Sequence, residues 1–212
     1  RFFRKIFLQS CDSFISFSEN IGEKLKKNTN KSVLSLFHPI NSHLPSKISK
    51  GEALSNLNLP SKQYILFIGL IRKYKGVEKL IRAFHYISKE NENLRLIIAG
   101  EFYDDITFYN KLIKRKDIED KVIIDNNFLE SSKIRDYVCL SDIVVQPYKK
   151  ASQSGITPVA YFYDKPLVVS NIEGLKEIII KDQSGEIFDE TPYNLAISIR
   201  NCINPENNRN YS

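Results

Sequence analysis

The chain alternates short, wholly apolar runs with longer stretches in which apolar residues recur at helical spacing. The runs QYILFIG (63–69), LRLIIAG (94–100), KVIID (121–125), DIVVQP (142–147) and PLVVS (166–170) are rich in Ile and Val. Such continuity suits strands buried on both faces. Between the first two runs, Val77, Leu80, Ile81, Phe84 and Ile87 mark one face of a helix. Further helices are predicted near 106–115, over 131–140, from about Ser154, over 173–180 and after Pro192. Strands separated by helices predict an α/β fold: a Rossmann-like, doubly wound parallel sheet.

Before residue 63 the pattern differs. DSFISFS (12–18) and SVLSLF (32–37) read as strands, and Ser18 is placed to cap a helix through Lys27. HPINSHLPSKISKG (38–51) has two prolines and few periodic apolar positions, so it reads as a linker. The opening RFFRKIF reads as a helix packed on neighbours outside this stretch, with contact to a membrane surface as the alternative. The chain contains no Met and opens on Arg, as a piece of a longer protein would.

Composition narrows the classes. A chain of 212 residues can bury a good core, and 42% hydrophobic content with 13 Phe and 11 Tyr excludes a disordered sequence. The formal charge of +6 is spread over polar helix faces, which makes a phosphate-bearing partner the next reading after simple solvation. No basic stripe interleaved with aromatics points to nucleic acid. Cys11, Cys139 and Cys202 lie far apart without a CxxC, so neither a disulfide framework nor a zinc site is indicated, and a reducing compartment fits. His38, His43 and His85 share no ligand spacing and read as loop or surface residues, so no metal is expected. No apolar run approaches bilayer length.

Two clusters carry the candidate chemistry. KASQSGITP (150–158) follows one predicted strand and leads into a helix, where exposed amides of Ser154 and Gly155 suit an anion. An ordinary Ser-capped helix start explains one serine but not the cluster. GLIRKYKG (69–76) leaves Arg72 and Lys75 in the turn between Gly69, which ends a strand, and Gly76, which opens a helix. A guanidinium fork and a point charge suit a diphosphate, the alternative being plain surface cations. Ligands of open parallel sheets bind beyond the strands' carboxyl ends, where both clusters fall. Neither GxGxxG nor a P-loop is present.

The stretches YILFIGLIRKYKGVEKLIRAF, LRLIIAGEF and LSDIVVQPYKKASQSGITPVAYFYDKPLVVSNIEGLKEII together resemble the nucleotide-sugar-binding half of GT-B retaining glycosyltransferases, the group 1 or family 4 type. The likeness runs from about residue 63 to 190. It implies that 1–45 are the tail of an N-terminal domain with the inter-domain linker, and 46–212 a nucleotide-sugar-binding Rossmann-like domain. It implies transfer of a sugar from a nucleoside-diphosphate sugar to a glycan or lipid-linked acceptor, without an obligatory metal or other cofactor. By position, Lys75 matches the phosphate-binding lysine, with Gly69, Arg72 and Gly76 beside it. Gln153, Ser154, Gly155 and Ile156 match the loop that holds diphosphate and sugar. Gly100 and Glu101 lie near the nucleotide, and Phe128 and Leu129 match the segment that meets the base.

Three positions depart from the family. Leu70 stands where Arg is common, with Arg72 as its substitute, and Ala151 and Val159 replace two glutamates. No residue is assigned as the catalytic base. Tyr161, Phe162 and Tyr163 read as packing, and Glu177 as a helix-capping or sheet-edge partner. The resemblance implies a bacterial surface-polysaccharide enzyme of the cytoplasm or the inner membrane face. Peripheral membrane association through the N-terminal half fits the same picture. The rivals are a non-catalytic nucleotide-sugar-binding or assembly subunit and a nucleotide-sugar epimerase.

Overall fold

The computed structural model describes residues 2–40 and 43–204. The chain begins with α1 (Phe2–Ser10), β1 (Ser13–Ser16), α2 (Glu19–Lys26) and β2 (Ser32–Ser35). The two strands pair in parallel, Ser13 beside Ser32 and Ser16 beside Ser35. Ser18 caps α2 as its sequence suggests, its hydroxyl accepting from the Ile21 amide. The opening segment is indeed helical, but α1 has no buried residue, and Phe2 and Phe3 are exposed.

No helix or strand forms over the described residues of 38–49, as the linker reading expects, and an unpredicted helix begins on the last two residues of the 38–51 stretch. Residues Lys50–Leu57 form α3, closed by a capping box in which Ser49 and Glu52 exchange backbone and side-chain bonds. That S-x-x-E signature outweighs the sparse apolar positions, of which Ala53 is fully buried.

There follow β3 (Gln63–Ile68), α4 (Val77–Ser88), β4 (Leu94–Ala99), α5 (Ile106–Arg115), β5 (Val122–Asp125) and α6 (Ser131–Leu140). The chain then forms β6 (Ile143–Gln146), α7 (Ile156–Phe162), β7 (Leu167–Ser170), α8 (Glu173–Asp182), β8 (Gly185–Phe188) and α9 (Pro192–Ile203). The last strand went unpredicted because it is short, sits at the sheet edge and carries Glu186. Helix α7 begins at Ile156, slightly later than expected.

The strand order is β5-β4-β3-β6-β7-β8, and every neighbouring pair is parallel. Helices flank the sheet: α4 packs on α5 and α9, and α3 on α6. With both faces covered, Tyr64 to Ile68 are all buried, which is why β3 reads as one apolar run. From β3 the chain winds outward through β4 and β5, then returns to lay β6 on the other side of β3. That reversal between β3 and β6 is the switch point of the sheet, at whose carboxyl edge such folds carry a crevice.

Candidate functional site

Four loops at the carboxyl edge are laced together by backbone bonds. The Ile71 amide donates to the Glu101 carbonyl and the Tyr103 amide to that of Ile71, joining the loops after β3 and β4. The Gly100 amide donates to the Asp125 carbonyl, and the Phe102 amide to Asn126 Oδ1, joining β4 to β5. The Lys149 amide donates to the Tyr74 carbonyl at 2.7 Å, tying the loop after β6 to the short turn Lys73–Lys75. Two glycines are obligatory here. Gly100 has φ +129, and a side chain on it would begin 2.3 Å from the Gly69 carbonyl oxygen. Gly76 has φ +71 and lies against the Pro147 carbonyl, where a Cβ would fall 1.9 Å away.

At the crevice itself stands Lys75. Its ammonium lies 3.8 Å from the centre of the Tyr148 ring and has neither a carboxylate nor a hydrogen-bond acceptor among the described residues. Burial without a counter-charge lowers its pKa from 10.5 to about 8. Tyr148 is itself buried, its hydroxyl pushed up to about 12 by loss of water while the contact with Ser154 acts the other way. The Tyr148 hydroxyl lies 3.3 Å from Ser154 Oγ, which also accepts from the Ile156 amide. Lys75, Tyr148 and Ser154 thus form a continuous chain of contact across the switch point. Tyr148 also borders a wider cleft of about 680 Å³, which Lys79, Lys149, Asp189 and Glu190 help to line.

The predicted site residues sort into three groups. Lys75, Gln153, Ser154 and Gly155 gather at the crevice, and the amides of Gln153, Ser154 and Gly155 have no protein acceptor among the described residues. The amide of Ile156 is taken by Ser154, and its side chain packs toward Gly69, 3.7 Å from where a Cβ there would sit. Arg72 is drawn aside, its guanidinium 4.5 Å over the Tyr103 ring. Gly69, Gly76, Gly100 and the Glu101 carbonyl set the loop geometry. After β5, Phe128 is exposed, whereas the Leu129 side chain belongs to the core. Beside that loop Asp125 is buried; burial would raise its pKa, but hydrogen bonds from Lys133, Asn127 and Tyr137 hold it below the usual value.

Sequence reasoning assigned no role to Tyr148, which follows the run DIVVQP, and read His38 as a loop or surface residue, which is where the structure places it. The structure brings His38 Nε2 to 3.8 Å from the position of a Cβ on Gly155. Glu177 does cap a helix, though a distant one: its carboxylate accepts from the Glu19 and Asn20 amides at 3.0 and 3.1 Å and from the Ser18 hydroxyl. Gly174 permits the 151–152 loop to lie on α8, since a Cβ there would meet the Ser152 carbonyl carbon at 2.4 Å. The three cysteines are free. Among the described residues no cluster of His, Cys, Asp and Glu is arranged for a metal, and no helix is long and apolar enough to cross a membrane.

A parallel sheet in this strand order, with a partly buried lysine at its switch point, defines a Rossmann-like domain. Residues 51–211 match the model of the glycosyl transferases group 1, and the chain belongs to that family. It is 28% identical over 151 residues to an uncharacterized glycosyltransferase of Methanocaldococcus jannaschii, covering 71% of this chain and 38% of that protein. Sucrose-phosphate synthase of Thermosynechococcus elongatus superposes with a TM-score of 0.77 at 20% identity, over 93% of this chain and 50% of the other. Anabaena HepE in complex with UDP gives 0.79 at 16% identity, over 92% and 55%. These likenesses place the fold in the GT-B class, of which the chain spans about half or less of each relative's length.

Proposed function

We propose that this chain is the donor-binding part of a retaining glycosyltransferase, holding a nucleoside-diphosphate sugar for transfer to a glycan or lipid-linked acceptor. The observation that carries the reading is Lys75: a partly buried ammonium at the carboxyl edge, without a counter-ion among the described residues, beside amides that have no acceptor among them. HepE, of similar fold, was solved with UDP, which supports a nucleoside diphosphate as the complementary anion. Lys75 and the amides of Ser154 and Gly155 would stabilise the departing diphosphate, with no resident metal invoked. Helix α7 is short, so its dipole is a minor contributor beside the lysine. In this reading residues 1–45 close an N-terminal domain, 46–212 bind the donor, and acceptor groups come from elsewhere in a longer protein. The setting that fits is polysaccharide synthesis in a bacterial cytoplasm, at or near the inner membrane face.

Calorimetric titration of UDP, GDP and ADP against the chain tests this. A charge-assisted hydrogen bond contributes roughly 1.5–3 kcal/mol, so Lys75→Ala should weaken the preferred diphosphate about ten- to a hundred-fold. The matching monophosphate should lose much less. Affinity should also fall as pH rises above about 8, where the free lysine gives up its proton. Equal losses for mono- and diphosphate would point to a general surface field and sink the assignment.

A second reading, nucleotide-sugar binding without turnover, is favoured by Ala151 and Val159, which offer no carboxylate beside the loop. Donor binding by the full-length protein with neither transfer nor hydrolysis would decide for it.

A further inference from the structure

Tyr148 is almost wholly buried, and the backbone on either side of it is fastened to the turn that carries Lys75. On one side the Pro147 carbonyl lies against Gly76, so close that a Cβ there would fall 1.9 Å away. On the other side the Lys149 amide donates to the Tyr74 carbonyl at 2.7 Å. Residues 147 and 149 thus clasp 76 and 74, which sets residue 148 opposite residue 75. The ring packs edge-on against Phe67, with centroids 6.5 Å apart. Its face carries the Lys75 ammonium at 3.8 Å, and its hydroxyl lies 3.3 Å from Ser154 Oγ. Ser154 Oγ in turn accepts from the Ile156 amide, at the start of α7.

A buried tyrosine is ordinarily a space-filling residue whose hydroxyl finds some partner. That role accounts for the burial and for the hydroxyl, but not for the lysine. A lysine stem is flexible and readily lifts its charge into water, so an ammonium kept in a partly buried place is held there by something. Lys75 faces two rings, Tyr148 from the loop after β6 and, at 5.5 Å, Tyr74 of its own turn. No carboxylate among the described residues pairs with it. The negative face of an aromatic ring attracts a cation, most strongly where water is thin. Burial pushes the Tyr148 hydroxyl up to about 12, so the side chain stays neutral at neutral pH. One rigid side chain therefore joins the cation of the β3 loop to the loop that opens α7.

We propose that Tyr148 is a positioning residue for the diphosphate: its ring seats the Lys75 ammonium and its hydroxyl seats Ser154, so that cation and loop amides meet one anion together. It acts through these two residues and touches no ligand itself. The proposal rests on the nucleoside-diphosphate reading above.

Three changes separate the two contacts. Tyr148→Phe removes the hydroxyl and keeps the ring. Pentafluorophenylalanine in place of Tyr148 keeps the ring's shape and reverses the charge of its face. Ser154→Ala removes the hydroxyl's partner and keeps the amide. The readouts are melting temperature, calorimetric affinity for UDP, GDP, ADP and their monophosphates, and the NMR titration of the Lys75 side chain, assigned by its loss in Lys75→Ala. The Lys75 midpoint should stay near 8 in Tyr148→Phe and fall below about 7.5 with the fluorinated ring. Affinity for the preferred diphosphate at pH 7 should fall about three- to ten-fold in Tyr148→Phe, and about three-fold further with the fluorinated ring. The matching monophosphate should change less than about two-fold in either. Ser154→Ala should weaken the diphosphate as Tyr148→Phe does, and the double variant no more than either alone.

A tyrosine that merely fills space would lower the melting temperature and leave both the Lys75 midpoint and the ratio of diphosphate to monophosphate affinity unchanged, which overturns the proposal. Equal midpoints for Phe and its fluorinated analogue, or additive losses from Tyr148→Phe and Ser154→Ala, overturn it as well. If Lys75→Ala leaves diphosphate affinity intact, the nucleotide reading fails. The midpoints, together with additivity of melting temperatures in the Tyr148→Phe and Ser154→Ala pair, then decide whether Tyr148 seats Lys75 and Ser154.

Discussion

At the scale of single residues, Lys75 is a partly buried cation whose charge no carboxylate among the described residues offsets. Its pKa of about 8 lies below the 10.5 of an unperturbed lysine, which is the value it regains on unfolding. Between those two values the unfolded chain binds more protons than the folded one, so stability rises with pH across that window. Below pH 8 the cost of the buried charge is present in full. Because the side chain is partly open to water, and Tyr148 returns some of the loss through its ring, the net cost is about 1 kcal/mol. Lys75→Met should therefore gain about that much stability at pH 7 in urea unfolding, and the gain should shrink toward pH 10. A variant less stable than wild type at pH 7 would mean that burial does not govern this lysine. A cation in a loop just after a strand was legible in GLIRKYKG. Its partner was not, because Tyr148 arrives from a different strand and only the sheet order makes them neighbours.

At the scale of elements, what the sequence made plain was whatever depends on local pattern. Strands β3, β4 and β6 stand out because burial on both faces confines polar residues to positions near their ends, Gln63, Arg95 and Gln146. Edge strand β8 mixes Glu186 into a short segment and shows no such signal. Helix α3 went unassigned, although its S-x-x-E cap stands at the end of the linker stretch. Glu177 shows the limit from the other side: a capping role was legible, yet the capped helix lies far earlier in the chain. Glu177 sits in α8 and satisfies the first amides of α2 at sequence separations of 158 and 157. An N-terminal cap contributes about 0.5–2 kcal/mol, so Glu177→Ala should release this end of α2. Hydrogen exchange at the Glu19 and Asn20 amides should speed up about ten-fold, while amides of β3 stay as protected as before. Unchanged exchange at those two amides would show that water replaces the carboxylate without loss.

At the scale of the whole molecule, the buried core belongs almost entirely to the six-stranded part. Its continuous cluster runs from Ala53 to Ile199, with Leu44 and Ile48 packed against its margin. Among residues 2–40, Phe14 is the one buried large hydrophobic. The strand pair is joined to the rest by Glu177 on α2, by Lys181 over the Phe37 ring, and by the walls of a cavity of about 210 Å³, Phe17 and Phe37 on one side and Pro158 and Ile178 on the other. The tie from Tyr163 to the Pro45 carbonyl and the Lys47–Asp164 ion pair lie beyond that junction, within the larger part. A chain starting at Leu44 therefore keeps its core, its switch-point crevice and Lys75, and loses His38, Phe17 and Phe37. It should unfold cooperatively, with stability within about 2 kcal/mol of the longer chain, because almost no buried apolar area has been removed. Nucleoside-diphosphate affinity should be retained within about two-fold, since every group assigned to the phosphates remains. Guanidinium unfolding and calorimetry on the shortened chain measure both. A chain from Leu44 that fails to fold would show the strand pair to be part of the folding unit. One that folds yet no longer binds diphosphate would place part of the phosphate site before residue 44.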